Sequence, residues 1–248
     1  MWFNEDGKTD DGTWGNLSTR FGCEGAAKNH IGPEFGFGYK VADALGEQIL
    51  IIKTAWGGKT LAGDFRPPSS CADPATSRNR TVGFYYTRML QMVAQTLSPA
   101  NLTRYFPGAA AYDGFDIVGF GWDQGWNDGC GKTDTDEYEF NMVNLIHDLR
   151  LAWNNPALAV SIPVSGFGGW GQTVGRRLEI IAAQFAAANA TKHPELHGHV
   201  QAEETRDFWR DPHFSPSPQA YHWGHNAESY WLIGQAMGSG MLQAMGIT

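Results

Sequence analysis

Four times in 248 residues, a short run of aliphatic and β-branched residues breaks off into a turn dense in glycine, tryptophan and polar side chains. "QILIIKTA" leads into "WGGKT", "FDIVGFGW" into "DQGWNDG", "ALAVSIPVSG" into "FGGWG", and "GHVQAE" into "ETRDFWRD". Short apolar runs bounded in this way read as buried strands. The stretches between them have helical spacing. Pro33 opens one whose apolar face is Phe37, Val41, Ala42 and Leu45, and Gly46 closes it. Residues 82–97 put Val82, Tyr85, Met89, Met92 and Val93 on one stripe, and residues 136–153 do the same with Met142, Leu145, Ile146, Leu149 and Trp153. A further helix is expected over 174–190, and a last one from Asn226 carries Tyr230, Ile233, Met237, Met241 and Met245. Alternating strand and helix predict an α/β fold, a mainly parallel sheet covered by helices on both faces. Residues 1–30 lack such a period and read as irregular, and no linker or repeat divides the chain, so a single domain over 1–248 is expected.

In such folds ligands bind at the carboxyl ends of the strands. The four turns would therefore share one rim, which is where a site should be sought. Composition narrows the chemistry. A net charge of −8 argues against nucleic acid and anionic membrane as partners. The longest apolar runs are far too short to span a bilayer. The N-terminus has neither the basic nor the apolar region of a signal peptide, although an export signal already removed would leave the same sequence. Asn-x-Ser/Thr occurs at Asn16, Asn79, Asn101 and Asn189, which leaves localisation open. Cys23, Cys71 and Cys130 are too scattered for a disulfide framework or a metal site. The sequence leaves the oligomeric state open, a homo-oligomer included.

Ten tryptophans is a high count, and Trp56, Trp122, Trp126, Trp209 and Trp223 fall beside the polar turns. One tryptophan alone is most simply core. A set of them beside polar loops suits sugar rings, which need flat apolar faces and donors for hydroxyls. Trp56, Trp126, Trp223 and Gln124 are the candidate substrate-binding residues. Gly57 and Gly58 directly follow a strand, where a tight turn is the simple explanation and a backbone N–H free to stabilise an oxyanion the functional one. Asn127 offers a side-chain amide as a second donor. His222, in the loop before the last helix, is placed as a general base would be, and a buried structural histidine fits the same spacing. Its acidic orienter is less defined, and Asp207 at the end of the fourth strand is the candidate.

The blocks "HIGPEFGFGYKVADALGEQILIIKTAWGGKTLAGDFRPPSS", "GFGWDQGWND" and "YHWGHNAESYWLIGQAMG" resemble the sialate O-acetylesterase-like domain of carbohydrate esterases, in the SGNH hydrolase superfamily. The resemblance runs from about residue 17 to the C-terminus. It implies a flavodoxin-like three-layer α/β/α fold and serine-dependent removal of acetyl groups from sugars, acetylxylan or O-acetyl sialic acid being examples. It implies no metal or other cofactor, and a secreted or periplasmic setting. By the same resemblance Gly57, Gly58 and Asn127 build the oxyanion hole, and His222 activates the nucleophile.

One part of the pattern has no counterpart. The family's serine sits in a G-x-S block after the first strand, upstream of the glycine pair, and no such block occurs here. The nucleophile is unassigned, and the chain is expected to begin downstream of that block. Ser165 at a strand end is the best internal serine; Thr173, Ser69 and Ser70 are poorer ones. In a flavodoxin-like sheet the first strand is interior, so its loss should leave a gap in mid-sheet. Residues 1–20, another copy of the chain or a closing of the sheet could fill it. Two rival functions follow: a sugar-binding module without catalysis, and a zinc hydrolase using His193, His197 and His199, for which carboxylates at ligand spacing are lacking.

Overall fold

A computed structural model describes residues 2–4, 13–19, 21–22, 30–73, 78–105 and 114–247. Strands β1 (Trp2–Asn4) and β2 (Thr13–Trp14) precede helix α1 (Pro33–Leu45) and strand β3 (Ile52–Thr54). A small hairpin of β4 (Ala72–Asp73) and β5 (Arg78–Asn79) leads to helices α2 (Phe84–Thr96) and α3 (Pro99–Tyr105). Then come β6 (Gly119–Gly121), α4 (Lys132–Asp136), α5 (Tyr138–Ala152), β7 (Ala159–Pro163), α6 (Arg176–Ala187), β8 (Val200–Glu203) and α7 (Ala227–Ala244). Cys23 lies outside the described residues; Cys71 and Cys130 are free thiols.

The fold is a three-layer α/β sandwich with a mainly parallel sheet, and β7 shows how the layers arise. Side chains alternate across a strand. Val160 and Ile162 join a core formed with Met89 of α2, Met142, Leu145, Ile146 and Leu149 of α5, and Ile180 of α6. Ala159 points the other way, into a cluster with Val41 of α1 and Met241 and Leu242 of α7. On the same face the Ser161 hydroxyl donates to the Met237 carbonyl of α7 at 2.7 Å, so this buried polar group is satisfied.

Helices α1 and α7 approach each other closely because their contact face is glycine. A Cβ on Gly36 would lie 2.3 Å from the Trp231 carbonyl oxygen, and one on Gly234 would lie 2.1 Å from that of Pro33. An ion pair ties α1 to β3, with Lys53 Nζ 2.9 Å from Glu34 Oε2.

The strands fall into separate groups. The order β6-β7-β8 forms one parallel sheet, and β2-β1-β3 another, in which β1 runs parallel to β3 and β2 antiparallel to β1. Among the described residues no pairing joins β3 to β6. Residues 1–30 are thus not wholly irregular. Their strands are two and three residues long, too short to carry a period, and they are held by backbone pairing that a sequence pattern does not register. Among the described residues no helix is long and apolar enough to cross a membrane.

Candidate active site

The turn after β6 is fixed from below by a buried polar network. The Trp122 amide donates to the Ser161 carbonyl at 3.0 Å, and its indole N–H donates to the Tyr138 hydroxyl at 3.1 Å. The Gln124 carbonyl accepts from the Tyr138 hydroxyl at 2.8 Å, the Gln184 amide at 2.9 Å and the Ser165 hydroxyl at 3.2 Å. Burial raises the Tyr138 pKa well above its ordinary value, which keeps the hydroxyl a donor. Gly125 has no alternative here, since a Cβ would fall 2.0 Å from Ser165 Oγ.

A second set of bonds joins this turn to the loop after β3. Fully buried Asp128 accepts from the backbone N–H groups of Leu61 and Ala62, each at 2.9 Å, and from the Gln124 amide at 2.6 Å. The same Gln124 amide nitrogen donates to the Lys59 carbonyl at 2.9 Å. Burial pushes the Asp128 carboxyl up to about 6, against the pull of its three donors. Farther along, Arg66 donates to the Ala62 carbonyl at 2.6 Å and pairs with Glu137 at 2.7 Å, which holds the loop against α5.

These clamps bring the glycine pair and Asn127 together. Gly58 has a φ of +70°, a left-handed conformation that glycine adopts without strain, and a Cβ there would stand 3.6 Å from Asn127 Nδ2. A Cβ on Gly57 would meet nothing within 4 Å, so that position faces open space. The result is an exposed backbone turn beside a side-chain amide, a suitable arrangement for holding an anionic oxygen.

His222 approaches from the loop before α7. Trp223, Gly224 and His225 all have positive φ, at 51°, 63° and 58°. For non-glycine residues this costs on the order of 1–2 kcal/mol each, and such strain tends to mark functional loops. The loop is anchored by Trp223, whose ring packs against Phe167 and Trp209 at centroid distances of 5.1 and 5.9 Å. At 3% exposure Trp223 supports the loop from beneath and offers no face to a ligand. Tyr221 packs on Trp126 at 5.4 Å, which sets the His222 loop beside the Asn127 turn. The His222 ring stacks on His225 at 5.2 Å. Partial burial, and then the neighbouring His225, lower its pKa, which favours the neutral imidazole that can accept a proton.

The Asp207 carboxylate accepts from the Trp170 indole at 2.7 Å, and among the described residues it makes no hydrogen bond or ion pair with His222. Trp126 is covered on one face by the Arg177 guanidinium, 3.6 Å from the ring centroid. Trp56 packs on Tyr85 and Phe65, with its indole nitrogen buried and unpartnered. Ser165, at 4% exposure, is committed to Gln124 and Gln184. Ser69 donates to Asp148 at 2.5 Å, Ser70 accepts from Asn144, and Thr173 lies in an exposed loop. No serine hydroxyl among the described residues is hydrogen-bonded to His222.

The three clustered histidines do not converge. His193 sits between Glu139 at 2.7 Å and Glu195 at 2.9 Å, and His199 contacts the Ala244 carbonyl. Among the described residues no group of three His, Cys, Asp or Glu could hold a metal.

The sequence reading gave no role to Asp128, Gln184, Tyr138, Arg177 or Trp170. Asp128 adjoins Asn127, a signal that was available. Gln184 and Tyr138 lie on helices, where nothing local marks a polar residue as buried.

Comparisons with known proteins bear on the family and the fold. Residues 10–208 match the family described as carbohydrate esterase, sialic acid-specific acetylesterase. A protein from Arabidopsis thaliana, known from an X-ray structure at 1.6 Å, superposes with a TM-score of 0.59 at 18% identity, covering 92% of this chain and 79% of that one. At that identity the likeness shows the fold alone. No protein of curated function matches.

Proposed function

The chain belongs to the carbohydrate esterase, sialic acid-specific acetylesterase family, and from that premise we propose that it removes O-acetyl groups from sugars, of the acetylxylan or O-acetyl sialic acid type. The observation that carries the reading is the convergence of Gly57, Gly58 and Asn127 on one exposed corner, with the His222 loop beside it. In this reading a hydroxyl nucleophile attacks the acetyl carbonyl while neutral His222 takes its proton. The carbonyl oxygen becomes an oxyanion and is held by the glycine turn and the Asn127 amide. Collapse expels the sugar oxygen, which receives the proton from His222. Water, deprotonated by the same ring, then cleaves the acyl ester and acetate leaves. Asp207 stands as the candidate for orienting His222, and the nucleophile is unassigned.

The second reading is a sugar-binding module that does not hydrolyse. What favours it is the state of Ser165, the best internal serine, which is buried and fully engaged. Acetate release from O-acetylated sugars, measured beside labelling by a fluorophosphonate, separates the two. Turnover with a single adduct supports the esterase. Sugar binding with neither turnover nor adduct replaces it with the binding module.

A further inference from the structure

The tryptophans that the sequence marks for sugars are largely taken up by protein. Trp223 is buried, Trp126 carries the Arg177 guanidinium on one face, and Trp56 packs on Phe65 and Tyr85. Trp170 is the reverse case. It stands in the turn after β7 and is 57% exposed.

A single exposed apolar residue is ordinary. Trp170 differs in being held still. Its indole N–H donates to Asp207 Oδ1 at 2.7 Å, and the Arg206 guanidinium lies over one face of the ring, 3.8 Å from the centroid. Arg206 is itself clamped by Glu204, with Nε 2.9 Å from Oε1 and Nη2 2.5 Å from Oε2. The backbone is shaped for the same display. Gly168 and Gly169 have φ of +84° and +58°, and a Cβ on Gly169 would lie 2.9 Å from Trp209 Cβ. Ordering an exposed side chain forfeits rotamer entropy, with little burial to offset it. A prearranged ring recovers that cost when a ligand covers its open face.

The platform adjoins the candidate site. Trp209, against which the Trp170 turn is seated, packs on Trp223, the neighbour of His222. The turn follows β7 and Asp207 follows β8, on the rim that also carries the Asn127 turn after β6. Glu204 cancels the charge of Arg206, and Asp207 adds a negative one, its second oxygen making no hydrogen bond among the described residues. Such a surface repels an acidic sugar. To a neutral one it offers a flat apolar face with a hydroxyl acceptor at its edge.

We propose that Trp170 forms an outer subsite that stacks on a neutral pyranose of a longer glycan, so that the protein engages oligosaccharides rather than single sugars. This rests on the esterase reading only in placing an acetylated unit at the candidate active site; the binding of the chain stands apart from catalysis. Glu204 and Arg206 position the ring, and Asp207 fixes its N–H.

The test is calorimetric binding of xylose, xylotetraose and a tetramer of galacturonic acid to the full chain. Xylotetraose should bind roughly tenfold more tightly than xylose, the scale of one aromatic contact and the area it covers. The charged tetramer should bind more weakly than the neutral one. Trp170→Ala should bring xylotetraose down to the affinity of xylose, and Trp170→Tyr should keep part of the advantage. Trp170 is exposed, so both variants should keep the fold, which thermal unfolding checks. No binding of xylotetraose, equal binding of xylose, a preference for the charged tetramer, or a length advantage that survives in Trp170→Ala would each overturn the assignment. Hydrolysis of a chromogenic acetate by the intact protein tests the esterase separately. Hydrolysis without a length advantage removes only this inference, and a length advantage without hydrolysis removes only the esterase.

Discussion

The Asp128 carboxylate accepts the backbone N–H of Ala62 at 2.9 Å across 66 residues of chain. With the matching bond from Leu61 it fixes where the loop carrying the glycine pair lies relative to Asn127. Asp128→Asn replaces one acceptor oxygen with a donor and leaves a buried N–H facing it. The variant should fold and be less stable by about 1–3 kcal/mol, the cost of an unsatisfied buried group. The pH dependence follows from the raised pKa. Folding favours the protonated carboxyl, so the residue's contribution is complete below its ordinary value of 3.8 and is lost as pH rises through about 6. The stability gap between native protein and variant, from urea unfolding, should therefore narrow between about pH 4 and pH 7. A constant gap would mean that Asp128 does not titrate there.

Asn127 and His222 should separate by the size of their effects. Asn127→Ala removes one oxyanion donor and should lower kcat by roughly 100- to 1,000-fold, with KM little changed. His222→Ala should abolish turnover while the thermal unfolding curve keeps its shape. A fully active His222→Ala would take that residue out of the mechanism.

His193 predicts a dependence of stability on pH outside the site. Burial alone would lower its pKa, but its hydrogen bonds to Glu139 and Glu195 outweigh that and raise it. A raised histidine stabilises fully below its ordinary value of 6.5, and the contribution is lost as pH climbs through the higher folded value. His193→Gln should cost about 0.5–1 kcal/mol near pH 6 and less at about pH 8.5. A deficit that grows with pH would contradict the ion-pair account.

Gly234→Ala tests the helix contact. Alanine favours a helix interior over glycine by about 1 kcal/mol, so an open face would gain stability. Here the added Cβ would fall 2.1 Å from the Pro33 carbonyl oxygen, and α1 must move. A net loss of roughly 1–3 kcal/mol in chemical denaturation is expected. A stabilised variant would show that the two helices separate at little cost.

The order of strands and helices was legible because periodicity is local. Met142, Leu145, Ile146 and Leu149 announce the buried face of α5 without reference to any other part of the chain. The glycine pair and Asn127 stand out by residue type and by their place after strands, and their proximity is what the fold adds. The grip of Asp128 on Leu61 and Ala62 was not, since its partners are backbone groups that every residue carries. The burial of Trp223 was not legible for a related reason. Its ring is buried beneath a left-handed turn, and nothing in "YHWGHN" announces a positive φ at a tryptophan. The short strands β1 and β2 are visible only through their pairing.

The close seating of α1 on α7 has a consequence for how the chain is made. Residue 45 ends the first helix and residue 227 begins the second, so about 180 residues must be synthesised between them. At ribosomal rates of translation that takes roughly 10 to 40 seconds. For that interval the glycine face of α1 waits without the helix it is shaped to receive, and the segment is poorly able to hold a helix alone. The N-terminal third emerges with that face of α1 uncovered. The contact between these two helices is completed only after α7 has left the exit tunnel.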